Sequence, residues 1–119
     1  MSKDRQQLLN LSDENIVEVS RILDDLGVIL IHIGQGSRVD DLSEIRLAAE
    51  HHDADAFTNL VLSNTLFGGS GALWEIWTED KIMREEYQKL FCKFIDSLKK
   101  MGIKNARMNQ VRSGLIHLK

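Results

Sequence analysis

No proline occurs anywhere in the 119 residues. Proline is the strongest interrupter of helix interiors, so its absence leaves helix length to glycine and to capping residues. Aromatic residues are few, at 6%, and the apolar residues recur at spacings of three and four instead of alternating. That is the period of one face of an α-helix. The expected fold is therefore all-α, a compact bundle of four to five helices.

The clearest stripe is Met83, Tyr87, Leu90, Phe91, Phe94, Ile95, Leu98 and Met101. Thr78 is its expected N-cap, Glu79 and Asp80 suit the positive end of its dipole, and Lys99-Lys100 suit the negative end. Gly102 is the natural stop. An earlier helix is expected from about Asp13 to Ile33, capped by Ser12 or Asp13, with Val19, Ile22, Leu26, Ile29 and Ile33 on one face. Gly27 interrupts that pattern, and Val28 to Ile33 alone would also suit a buried strand. Gly34-Gln35-Gly36-Ser37 ends it. A helix from Asp40 to His51 should turn Leu42, Ile45 and Ala49 inward. Another, from Asp55 to Leu66, starts at Asp53 or Asp55 and should bury Phe57, Leu60 and Val61. On this reading residues 1–102 are a single helical domain, and 103–119 are a basic C-terminal tail or an extra short element.

Charge is unevenly distributed along that division. The tail holds Lys104, Arg107, Arg112 and Lys119 and no acid, so it is +4; the other 11 basic residues face all 18 acids, which makes residues 1–102 formally −7. Acids gather at expected helix starts: Asp40 and Asp41, Asp53 and Asp55, Glu79 and Asp80. A solvated acidic face is the plain explanation. The functional one is steering toward a basic protein partner, with these six side chains as the contact residues. Nucleic acid is an unlikely partner, because phosphate binding needs a clustered basic face. No apolar run approaches the ~20 residues of a membrane span. The opening residues Met1 to Gln7 lack the apolar stretch of a signal peptide, and the single cysteine cannot form an internal disulfide. Both suit a cytoplasmic protein.

The densest local signal is Leu66-Phe67-Gly68-Gly69-Ser70-Gly71-Ala72-Leu73-Trp74-Glu75-Ile76-Trp77, which holds three of eight glycines and both tryptophans. A glycine-rich loop before a helix can cradle an anion, but this one lacks the Lys-Ser/Thr of a nucleotide phosphate loop. It reads better as a structural joint made of Gly68, Gly69, Ser70, Gly71, Trp74 and Trp77. Gly68 or Gly69 would close one helix, and Ser70 would cap a short one running through Trp77. The two tryptophans, three apart, should share a face and pack on the bundle.

Together with Asp53-x-Asp55-Ala56-Phe57, this segment resembles a group of small, uncharacterised bacterial helical proteins. Their mark is a Gly-Gly-Met-Gly-Ser motif after a leucine-rich helix. The likeness spans roughly residues 20–100; here Ser70 replaces the methionine, Ala72 the serine, and Trp74-Glu75 a frequent Asn-Asp pair. It implies a helical fold and a bacterial source, and no activity. In general character the chain is also similar to the immunity proteins of bacterial toxin systems, which are small, acidic and cytoplasmic and block a basic nuclease toxin.

Catalytic chemistry finds little purchase. His51-His52-Asp53 has metal-ligand character and resembles the paired His-Asp of metal-dependent phosphohydrolases. Successive helix residues point about 100° apart, however, so both imidazoles cannot reach one ion without a break in the helix. His32 lies apart, on the first helix, and no distinctive downstream aspartate completes the set. A helix end followed by a capping aspartate explains the run more simply. Cys92, between Phe91 and Phe94, reads as a buried structural thiol. No catalytic residue, cofactor or metal is therefore expected. The preferred reading is a binding or inhibitor protein, an immunity protein for a cognate nuclease-type toxin. The alternatives are a metal-dependent hydrolase at His51, His52 and Asp53, or a structural homodimer joined through the Met83–Leu98 stripe or the tryptophans.

Overall fold

Ser12 starts the first helix, α1 (Asp13–His32), by accepting the Asn15 backbone N–H on its hydroxyl at 3.2 Å. The structure is a computed structural model and describes residues 9–68 and 71–117. A short 3-10 turn, Gly36–Arg38, leads into α2 (Val39–Glu50). Then come α3 (Ala54–Val61), the single turn α4 (Asn64–Phe67), a second 3-10 turn at Leu73–Glu75, α5 (Lys81–Met101) and α6 (Ala106–His117). There is no strand among the described residues, as the helical period required.

The two long helices run antiparallel. The start of α1 meets the end of α5 through Lys100 Nζ on Glu18 at 2.9 Å and the Asn10 N–H on the Met101 carbonyl at 2.9 Å. α2 flanks α1, joined by Arg46, which reaches Asp24 across the pair and Glu50 on its own helix. α6 flanks α5, where Arg112 forks onto both oxygens of Asp96 at 2.7 and 2.8 Å. Between them lie Leu26, Leu30, Phe57, Leu66, Leu73, Phe91, Phe94 and Leu98, all fully buried. Each such side chain contributes roughly 1.5–3 kcal/mol on leaving water. Phe91 is the hub, with ring centroids of Phe67, Tyr87 and Phe94 at 5.9, 5.9 and 5.8 Å.

Three helices close in the same way. The N–H groups of Gly34 and Gln35, of His52 and Asp53, and of Gly102 and Ile103 return to carbonyls of the preceding turn. The pivot residues Gly34, His52 and Gly102 have φ of 84°, 57° and 113°. This left-handed stop is normally glycine.

Several expectations need correction. The helix expected over Asp55 to Leu66 breaks at Leu62 and Ser63, where the Ser63 hydroxyl donates to the Leu60 carbonyl at 2.7 Å. A continuous helix would place Leu66 about 180° from Phe57; the break lets both be buried. Leu60 is only partly buried. The N-cap of α5 is Asp80, not Thr78: its carboxylate accepts the Met83 N–H at 3.1 Å, while Thr78 Oγ1 accepts the Asp80 N–H at 3.3 Å. Residues 106–117 are helix, and Ile103, Met108, Val111 and Leu115 join the same core. Cys92 is half-buried rather than sealed in. The α5 stripe is interior, since Tyr87, Phe91, Phe94, Ile95 and Leu98 are buried within the chain, so it cannot serve as a homodimer interface.

Candidate interaction surface

The glycine-tryptophan joint is organised around a carbonyl. The Gly68 oxygen accepts the Trp74 indole N–H at 3.0 Å and Arg107 Nη2 at 3.2 Å, while Arg107 Nε donates to the Phe67 carbonyl at 2.7 Å. The guanidinium also lies 5.7 Å from the Trp74 ring centroid. Tyr87 completes the anchor by donating its hydroxyl to the Leu73 carbonyl at 2.8 Å. Burial holds that phenol protonated far above its ordinary range. Gly71, at φ 87°, supplies the left-handed turn. At Phe67 and Gly68 the loop presents acceptors to a cation, the opposite of an anion cradle. Gly69 and Ser70, also assigned to the joint, lie outside the described residues.

The two tryptophans do not share a role. The 3-10 turn ends at Glu75, and Ile76 has turned extended at ψ 132°. Trp74 is thus half-buried against the joint, whereas Trp77 is 62% exposed. Trp77 is held in place by Arg84, whose guanidinium sits 4.9 Å from the ring centroid and donates to the Thr78 carbonyl at 2.7 Å. Ile82, also exposed, stands on the first turn of α5. Exposed acids surround this position in the chain: Glu75, Glu79 and Asp80. No family model, curated protein or solved structure matches the chain. The surface must be read from its own chemistry.

The six acidic side chains divide into two groups. Because α1 and α5 are antiparallel, α2 begins at the end of the bundle where α5 begins, and Arg38 just before it acts electrostatically on Tyr87. Asp40 and Asp41 therefore belong to the same end as Glu79 and Asp80. Asp53 and Asp55 lie beyond the other end of α2, a 12-residue helix of about 18 Å. Their local duties differ too. Asp41 pairs with Arg38 at 3.3 Å, and Asp53 and Asp80 cap α3 and α5. Asp40, Asp55 and Glu79 make no ion pair among the described residues.

At the His51-His52-Asp53 run both imidazoles are exposed. His52 is the pivot of the α2 stop, and the Asp53 carboxylate accepts the Ala56 N–H at 3.1 Å. No three His, Cys, Asp or Glu side chains come together as a metal site among the described residues. Nor is any described helix long and apolar enough to cross a membrane. The basic tail is partly spent internally, with Arg107 in the joint and Arg112 on Asp96.

Three residues of this surface escaped the sequence reading: Ile82, Arg84 and Arg107. Ile82 was detectable, since it falls off the 83-87-90-91-94 stripe and so faces outward. The two arginines were not, because their partners are backbone carbonyls and aromatic faces that only the loop's path brings near.

Proposed function

We propose that the chain is an inhibitor-type binding protein that docks a basic protein partner, in the manner of the immunity proteins of bacterial toxin systems. The docking face is the end of the bundle carrying Trp77 and Ile82, with Asp40, Asp41, Glu79 and Asp80 as its acidic rim. The observation that carries this reading is Trp77, a large aromatic 62% exposed and braced by Arg84. Tryptophan and arginine are the residues in which binding energy concentrates, and acids around them steer a basic partner and reject an acidic one. Asp53 and Asp55, at the far end of α2, fall outside this face.

Co-expression with the neighbouring reading frame of the source genome tests the idea. The neighbouring product alone should arrest growth; this chain should restore it and co-purify with that product in equal amounts. Absence of both rescue and complex at physiological salt would overturn the proposal.

A further inference from the structure

The outermost face of α1, opposite the core, carries Val17, Arg21, Asp24, Val28 and Ile31, at intervals of four, three, four and three residues. The buried face holds Val19, Ile22, Leu26 and Leu30, so both sides of one helix bear apolar side chains. Val17, Val28 and Ile31 are 57%, 65% and 64% exposed. This alternation of four and three is the spacing that keeps one helix seated against another. Two grooves border the ridge. One, of about 230 Å³, runs along α2 past Gly27, Val28, Ile31 and Val39; the other lies toward α5, past Glu14, Val17 and Lys100.

We infer that this ridge pairs with the same ridge of a second copy of the chain, antiparallel about a two-fold axis between Ile22 and Leu23. That register matches the middle of the ridge, from Val17 to Val28, and sets Ile31 opposite Glu14 of the second copy. Val17 falls opposite Val28 of the second copy, and Arg21 opposite Asp24 of the second copy; the two-fold repeats each pair. Apolar pairs thus lie on either side of two opposite-charge pairs. Arg21 is exposed and makes no ion pair among the described residues, and Asp24, which already meets Arg46, has a side chain 57% exposed. A parallel pairing would set Arg21 on Arg21 and Asp24 on Asp24, which repel. This surface is separate from the one bearing Trp77, so the dimer leaves that face open. A single helix pair buries less than the roughly 1,200 Å² of a stable complex. The dimer is therefore weak, with a dissociation constant on the order of 100 µM.

Cross-linking reads both the pairing and its register. In a Cys92→Ser background, the chain carrying Val17→Cys and Val28→Cys together should oxidise to a covalent dimer at about 200 µM. Either cysteine alone should give no covalent dimer, because in this register neither residue meets itself. Adding Arg21→Asp, which puts two carboxylates opposite each other, should abolish the dimer without changing the thermal midpoint. Sedimentation of the unmodified chain should show reversible dimerisation over the same range. A monomer up to about 1 mM, a partner of another kind on this face included, would overturn the inference. So would cross-linking of the single-cysteine chains as efficient as that of the pair.

Discussion

His52 occupies the position that glycine holds in the other two left-handed stops, Gly34 and Gly102. A side chain there costs roughly 1 kcal/mol, since the left-handed region crowds Cβ against the carbonyl. His52→Gly is therefore expected to raise stability by about that amount, measured as a higher urea midpoint at unchanged slope. A midpoint at or below the parent's would mean that the imidazole is kept for some contact of its own. The same residue sits where the plainer reading of the sequence put it, at a helix end followed by a capping aspartate. His51-His52-Asp53 has the composition of a ligand set, but its backbone bonds assign it to ending α2 and starting α3. Trp74 and Trp77 teach the reverse. Their spacing suggests one shared face, and a chain that leaves helical geometry after Glu75 separates them.

At the scale of elements, α5 and α6 share core packing and, at the surface, the fork of Arg112 on Asp96. The Arg112 hydrogen bonds, and then its charge, hold the Asp96 carboxyl below its ordinary range. A depressed carboxylate stabilises the fold above its unfolded value of about 4, and that contribution is lost as pH falls through the lower folded value. Asp96→Asn is expected to cost less than about 1 kcal/mol at neutral pH, because the pair is solvent-screened. Melting curves of parent and variant should then converge as pH drops below about 4. A gap that persists to lower pH would show that the cost of the substitution does not come from the ion pair. Most elements were legible in the sequence. The α1 and α5 stripes, the Ser12 cap and the Gly102 stop follow from spacing and side-chain chemistry alone. What was not legible is where two signals compete. Thr78 and Asp80 are both good caps, and the Arg84 contact to the Thr78 carbonyl accompanies the choice of the second. The break at Ser63 depends on burying Leu66 and Phe57 together, a tertiary demand on a segment whose local propensity is helical throughout. Residues 103–119 read as a basic tail or an extra short element because their charge outweighs a sparse stripe; Met108, Val111 and Leu115 are enough to fix α6 on the core.

For the molecule as a whole, the division of charge matters more than its sum. Arg107 and Arg112 neutralise acceptors within the fold, Arg46 and Lys100 each pair with an acid of α1, Arg38 pairs with Asp41, and acids cluster at the helix starts. Of these, the group at Asp40, Asp41, Glu79 and Asp80 shares its end of the bundle with Trp77, and the Asp53 and Asp55 group does not. Acidity alone would not choose between the two ends; the proposal of a docking face at the first rests on the exposed tryptophan. The direct test is titration calorimetry of the purified chain against the product of the neighbouring reading frame at physiological salt. Trp77→Ala is expected to weaken binding at least about ten-fold, or roughly 1.4 kcal/mol, while Asp55→Asn at the far end leaves affinity within about two-fold. Equal affinities for the parent and the Trp77→Ala chain would contradict the assignment of the binding face.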